Sequence, residues 1–323
     1  METATHRQPP RFSCHFLNMI KAAILAGPYS HPDIPRLVQL LHDHPDVELM
    51  AFTDTSNAGR KLSDLFPTLT GETELIVSRD LDLDNIDVVF VADAKGSTRN
   101  LFLNNELPED LRIIDMTGDF RLPGEGNPFV QGIPELNRKA MVRGAKFVSM
   151  PNPAVTAVTL ALLPLAKSTA LNGSVHSQIV SNLPGADTDS LSATRLDSYE
   201  TDQIKAAVTS LQEDAQVDFS GILFAGDTPE GLIAVTVLPT SLQLEELRAL
   251  YDEFYDDHSF TFVVDNVPDI NDVRDTNKCF IHLDKDGDRL VVTTVLDTDM
   301  KGGAGNAVHA MNLLFGLLEK VGL

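Results

Sequence analysis

The chain has 323 residues with 43% hydrophobic content, enough for two domains with cores of their own, and a formal charge of -22 from 47 acidic against 25 basic residues. So acidic a chain excludes nucleic acid and anionic membrane surfaces as partners, because both reward basic patches, and an anionic ligand would need a local basic cluster. No apolar run approaches the roughly 20 residues that span a bilayer, and Cys14 and Cys279 alone supply neither a disulfide framework nor a zinc-type spacing, which fits a reducing, cytoplasmic setting without a metal.

Residues 1–18 hold Arg7 and Arg11 but no continuous apolar region, so they read as a flexible extension rather than a secretory signal, with Met19 a candidate start. Ile20–Leu25 is a strand-sized apolar run ending at Gly27, Pro35–Leu41 has helical spacing, and Val47–Thr53 reads as a second strand. Asp87–Ala92 is a buried strand, a helix starts at Ser97, and Arg112–Asp115 and Lys146–Ser149 are further strands. Strands alternating with helices imply an α/β, doubly wound parallel sheet with right-handed crossovers, a dinucleotide-type half.

Asn152-Pro153 then breaks the chain, and Ala154–Ala166 reads as a buried helix. Strands follow at Ser174–Ser181, Gly221–Phe224, Gly231–Leu238, Phe260–Val264, Lys278–Leu283 and Arg289–Asp297, interrupted by helices near Ser190–Glu213 and Gln243–Tyr255. That run predicts an α+β half with a mostly antiparallel or mixed sheet. Asp286-Gly287 marks a hairpin turn, and the last helix, Gly305–Lys320, is expected to pack back on the first half. The expected division is 1–18 as the extension, 19–152 plus 301–323 as a Rossmann-type domain, and 153–300 as the α+β catalytic and dimerisation-type domain.

Three strings in order, IDMTGDFRL (Ile114–Leu122), QGIPELNR (Gln131–Arg138) and MKGGAGNAVHAMNLLFGLLEKVGL (Met300–Leu323), resemble the signature segments of the N-acetyl-γ-glutamyl-phosphate reductase family of arginine biosynthesis. Asp54–Pro67 and Val273–Phe280 match in character, so the resemblance runs from Met19 to Leu323. It implies a Rossmann domain followed by a glyceraldehyde-phosphate-dehydrogenase-like domain, NADP(H) as cofactor, a small-molecule substrate and a homo-oligomer. It also implies a cysteine thiolate that forms an acyl enzyme, splitting a hard substitution and reduction into two easier steps, with a histidine to move protons.

The residues depart from that pattern in four places. The family's cysteine follows Asn-Pro; here Asn152-Pro153-Ala154-Val155-Thr156-Ala157 has either a deletion after Pro153 or Val155 at that position, and no thiol. Thr156, the nearest hydroxyl, reads as a helix-start residue, since an unactivated alcohol is a poor nucleophile. The histidine string is replaced by Asp197–Ile204, where Glu200 is the one candidate base and reads as an exposed helix carboxylate near Asp202. The phosphate turn Gly27-Pro28-Tyr29-Ser30-His31-Pro32-Asp33 keeps only its first glycine, adds prolines without N–H donors and brings Asp33 to the anion position. The stretch from Leu122 to Gln131 is shorter than the family's and is expected to lack its aromatic residues.

Candidate cofactor contacts are Gly27, Ser30, Thr55, Ser56, Gly303 and Asn306, where Asp54-Thr55-Ser56 suits a ribose hydroxyl better than a 2′-phosphate and Arg60 offers partial compensation. Candidate substrate-region residues are Asp119, Arg121, Glu135, Asn137, Arg138 and Lys301, with a role at the domain junction equally open to them. His42-Asp43-His44 reads as a solvated helix end rather than a metal site, Asp284–Asp288 as a turn rather than a calcium loop, and Cys279 as core. The expected function is a diverged reductase with weak or no family activity. The alternatives are a non-catalytic regulatory or binding protein and an oxidoreductase that uses NAD(P)H without an acyl enzyme.

Overall fold

The structure is a computed structural model that describes residues 19–27, 31–182, 192–226 and 230–323; the extension at 1–18 and the Pro28–Ser30 part of the altered turn lie outside the described residues. The first half contains β1 (Ile20–Ala26), α1 (Ile34–Asp43), β2 (Val47–Thr53), the single-turn α2 (Leu62–Leu65), β3 (Val88–Ala92), α3 (Ser97–Asn104), β4 (Arg112–Asp115), β5 (Val130–Gln131), α4 (Pro134–Val142) and β6 (Phe147–Ser149). The six strands form one sheet in the order β2-β1-β3-β4-β6-β5, every pair parallel. Central β3, the run VVFVA, is buried at all five positions, as a strand covered on both faces must be. Amphipathic α1 docks through Ile34, Leu37, Val38 and Leu41, the i, i+3, i+4, i+7 stripe.

The second half contains α5 (Pro153–Lys167), β7 (Gly173–Asn182), β8 (Ser192–Arg195), α6 (Ser198–Thr209), β9 (Val217–Gly226), β10 (Leu232–Pro239), α7 (Leu244–Tyr255), β11 (Thr261–Val263), β12 (Cys279–Asp286) and β13 (Arg289–Leu296). Its mixed seven-stranded sheet has the order β11-β12-β13-β10-β7-β9-β8, with α5, α6 and α7 against one face. The closing α8 (Ala304–Leu314) is buried along its whole length and shares a core with β1, α1 and α4 of the first half.

Three expectations change. The helix placed at Ser190–Glu213 is β8 followed by α6, because Asp197 and Glu200 form a reciprocal capping box that fixes the helix start and leaves Ser192–Arg195 to pair with β9. The last helix ends at Leu314, and Gly316 follows with φ +68. The hairpin turn is Gly287-Asp288, one residue further on, since Asp286 pairs with Arg289 and Gly287 takes φ +60.

Helix α5 carries Pro164 in its interior, which deprives the carbonyl of Leu160 of its helical donor. The Tyr255 hydroxyl donates to that carbonyl and Tyr251, one turn earlier on α7, donates to Ala161 O. The Tyr255 hydroxyl thus supplies the donor that the proline removes, and the two tyrosines join α5 to α7. Tyr255→Phe keeps the ring, leaves Leu160 O buried and unsatisfied, and is expected to cost about 1–3 kcal/mol in urea denaturation. An unchanged midpoint would show that the carbonyl needs no donor from α7.

Candidate functional site

A cleft of about 280 Å³ opens where the two halves meet. One wall is the carboxyl edge of the parallel sheet, where an open α/β sheet binds its ligands, with His31, Pro32 and Asp33 before α1, Met116 after β4 and Met150 after β6. The opposite wall is Ser181 and Asn182 of β7, Leu223 of β9 and Leu232 of β10. Asn152, Pro153 and Ala154 at the start of α5, Glu200 of α6, and Thr298, Asp299, Gly302 and Gly303 complete it.

The first wall is organised by Asp115, a residue the sequence reading passed over. Its buried carboxylate accepts from the Thr98 and Thr117 hydroxyls, each at 2.6 Å, the Thr117 and Phe120 amides, and the Ser149 hydroxyl at 2.6 Å. A buried carboxylate needs this many donors, and they fix the loop that carries Arg121. Arg121 donates to Met150 O and Met116 O and lies over the Cα of Gly118, where a Cβ would come within 2.9 Å of the guanidinium carbon. Tyr199 of α6 donates to Gly118 O.

At the start of α5, Asn152 accepts from the Val155 amide at 2.8 Å and donates to Glu200 at 2.7 Å. Glu200 also accepts from the Asp197 amide, so it is a half-buried capping residue bordering the cleft rather than the exposed carboxylate expected. The Val155 side chain is fully buried in the core, and Ala154 takes the cleft-facing place. Thr156 is buried with its hydroxyl turned to Asn152 O, in keeping with a helix-start role.

The cleft is rich in acid. Burial, and then neighbouring Asp299, push Asp33 up to about 8 against the pull of Arg121. Asp299 is itself raised by burial and by Asp297 and Glu230. Burial and Arg121 lower His31, whose Nδ1 lies 3.7 Å from Asp33 Oδ2. His31 and Asp299 are cleft residues the sequence reading did not nominate; His31 sits in the altered turn, and that alteration was its only signal.

Several nominated residues face elsewhere. Lys301 is 0% exposed, and its ammonium lies 2.7 Å from Glu135, whose carboxylate also accepts from Thr261 at 2.6 Å. Burial alone would raise Glu135, but Lys301 and then His309 outweigh it and hold the group down at about 2. Asn306 donates to Gly132 O, Asn137 to Gln131 O, and Arg138 pairs with Glu319 at 2.6 Å and Asp257 at 3.3 Å. Asp119 accepts from the Gly96 and Arg99 amides and so serves the free donors at the start of α3. Of the nominated residues, the cleft gathers Arg121, Glu200 and Gly303.

Thr55 and Ser56 are exposed in the turn after β2, while Asp54 accepts from the Ser56 amide and the Asn57 side chain. Ser30 lies outside the described residues. The stretch from Leu122 to Gln131 does hold an aromatic residue, Phe129, which stacks on Phe120 at 4.3 Å in a core cluster. His44 is 2% exposed and bonded to Asn312, not solvated, because the end of α1 is covered by the chain after α8. Cys279 is fully buried in β12, where burial pushes its thiol up and leaves it unreactive.

Residues 35–143 match the model of the semialdehyde dehydrogenase NAD binding domain, and residues 154–298 that of the semialdehyde dehydrogenase dimerisation domain. N-acetyl-gamma-glutamyl-phosphate reductases from Parabacteroides distasonis and Flavobacterium johnsoniae are 38% and 34% identical, each alignment covering 94% of this chain and 98% of the relative. The chain belongs to the N-acetyl-gamma-glutamyl-phosphate reductase family. Its fold is shared with aspartate semialdehyde dehydrogenase II from Vibrio cholerae, at TM-score 0.72 and 14% identity over 92% of this chain and 99% of that one. It is shared also with the Candida albicans enzyme solved with NADP, at TM-score 0.70 and 14% identity over 92% and 98%.

Within the reductase family, the described part of the turn does not suit a dinucleotide's diphosphate, which needs backbone amides open to it at a helix start. The approach to Gly27 is taken by Asp93, whose Oδ1 would overlap an added Cβ and has no partner among the described residues. Asp33 stands at the start of α1, packed against Gly303. Two acidic side chains thus flank the place where an anion would enter.

Lys301→Met strands a buried Glu135 charge and is expected to cost about 3–5 kcal/mol by denaturant titration, most of it recovered when Glu135→Leu is added. Asp33 is raised in the fold above its ordinary 3.8, so its neutral form favours folding at low pH and that advantage is lost as pH rises toward about 8. Asp33→Asn should therefore leave the melting temperature unchanged near pH 4 and raise it increasingly up to pH 8, with a plateau above; a gain independent of pH would contradict the burial of that carboxyl.

Proposed function

We propose that this chain is a diverged reductase-family member that has kept the scaffold, lost the acyl-enzyme reaction and acts as a non-catalytic small-molecule binding protein. The observation that carries this reading is the start of α5, where Ala154 meets the cleft and Val155 is core, in the stretch where the family's thiolate stands. Cys279 is buried in β12, and no histidine lies on α6. Loss of a positioned acid-base group typically costs about 10² to 10⁴ in rate, and loss of the nucleophile adds to it. Loss of NADP(H) affinity is part of the proposal and is supported by the acidic side chains of Asp33 and Asp93 beside the phosphate turn. The second reading, an NAD(P)H oxidoreductase without an acyl enzyme, is favoured by one feature, the largely neutral His31 in the cleft.

We further propose a cytoplasmic homo-oligomer that pairs through the face of the seven-stranded sheet opposite α5. Val180 and Ile222 are exposed there at 37% and 40%, beside half-buried Val235, and the match to a dimerisation domain covers these strands. No described helix is long and apolar enough to cross a membrane.

Fluorescence titration with NADPH and NADH, followed by the reverse reaction with N-acetylglutamate semialdehyde, phosphate and NADP⁺, tests the reading. Neither cofactor is expected to saturate, and no turnover is expected even after Gly-Cys is inserted between Pro153 and Ala154, because the histidine is also missing. Turnover within about three orders of magnitude of an ordinary enzyme, roughly 4 kcal/mol in barrier, would overturn it.

A further inference from the structure

We infer that the cleft takes a small organic cation, a ligand with a protonated amine on an apolar body of amino-acid size, its positive group seated between Asp33 and Asp299. This rests on the reading that the family reaction, with its anionic acyl phosphate and dinucleotide, has been given up.

Three observations converge on this ligand class. The first is size and lining. The cleft encloses about 280 Å³, at the small end for organic ligands. Its remaining walls are largely apolar, formed by Pro32, Met116, Met150, Ala154, Leu223 and Leu232, which suits an aliphatic body.

The second is an unserved acid. The carboxyl of Asp33 makes no hydrogen bond among the described residues, and its side chain is 14% exposed. It cannot withdraw toward the C-terminal segment, because its oxygens already stand where a Cβ on Gly303 would be, at 2.6 Å. The one basic side-chain nitrogen within 4.0 Å among the described residues is His31 Nδ1 at 3.7 Å, on a ring that burial and Arg121 hold below its ordinary range.

The third is unbalanced acid, with the Asp33 carboxyl raised to about 8 and so ready to ionise against a cation. Asp33, Asp299 and Glu200 border the cleft against the single guanidinium of Arg121, which is committed to Met150 O and Met116 O. Glu200 has both oxygens engaged by neutral donors, Asn152 and the Asp197 amide, while Asp33 and Asp299 have no ion pair to Lys or Arg among the described residues, and Arg36, whose charge reaches Asp299, is paired with Asp275. An incoming anion would raise these acids further, whereas an ammonium would favour their ionised form, supply the counter-charge and give the Asp33 carboxyl a donor. The groups that face Asp33 are His31 from its own turn, Arg121 from the loop after β4 and Asp299 from the loop after β13.

The test is calorimetric titration of the full chain at pH 7.5 with L-lysine, 1,5-diaminopentane, glutarate and NADPH. Lysine, diaminopentane or both are expected to bind saturably, and glutarate not at all. Asp33→Asn and Asp299→Asn should each weaken that binding at least tenfold, with the fold confirmed by circular dichroism, while Asp284→Asn on the exposed edge of β12 leaves it unchanged. Failure of both amines to bind, binding of glutarate in their place, or amine binding that both cleft variants leave intact would each overturn the inference. NADPH reports separately: its saturable binding would count against the proposed loss of the cofactor, and the amine arm would still decide the cation site.

Discussion

The ion pair between Lys301 and Glu135 sits where neither charge can reach water, and much of the molecule is arranged around it. An unpaired charge at that depth would be strongly destabilising, so Glu135 on α4, Thr261 on β11 and the segment before α8 are held in one relative position. That segment continues as Gly302-Gly303 along the cleft wall. An added Cβ would meet Thr298 O at 2.7 Å and Pro153 at 2.8 Å from Gly302, or Asp33 at 2.6 Å from Gly303. The backbone can approach this closely only because both residues lack a side chain. The same buried carboxylate thus anchors the segment that lines the cleft and, through Thr261, ties the first half to the second.

A second constraint acts from the other wall. Asp115 at the end of β4 collects donors from α3, from its own loop and from β6, and that loop delivers Arg121. Arg121 is spent on two backbone carbonyls and faces more acid than it can neutralise. The buried polar anchors are thus satisfied within the chain, while the space they enclose is bordered by acid. Scaffold and site are separable in this way because the anchors are satisfied internally, so changes at the cleft surface leave them undisturbed.

The same separation explains how a fold persists at 14% identity in the aspartate semialdehyde dehydrogenases. What persists is the parallel sheet, the mixed sheet and the closing helix, each demanded by hydrophobic patterning. The start of α5 shows what need not persist: an Asn cap and a proline suffice to begin the helix whether or not a nucleophile follows.

Sequence by itself determined the alternation of strands and helices in the first half, the buried helix after Asn152-Pro153, the family, and the absence of the thiol and histidine, because periodicity, capping residues and motif identity are local properties. It misplaced β8, since a four-residue strand with all residues exposed has no hydrophobic signature and exists only through pairing with β9. It left Glu135, Arg138, Lys301 and Asn306 undecided between ligand contact and domain junction, because a charged or polar residue carries no mark of its partner. It passed over Asp115, His31 and Asp299 for the same reason. Only the tertiary structure could join Lys301 to Glu135 across 166 positions and bring Asp33 against Gly303, because burial and long-range pairing arise only when distant segments pack together.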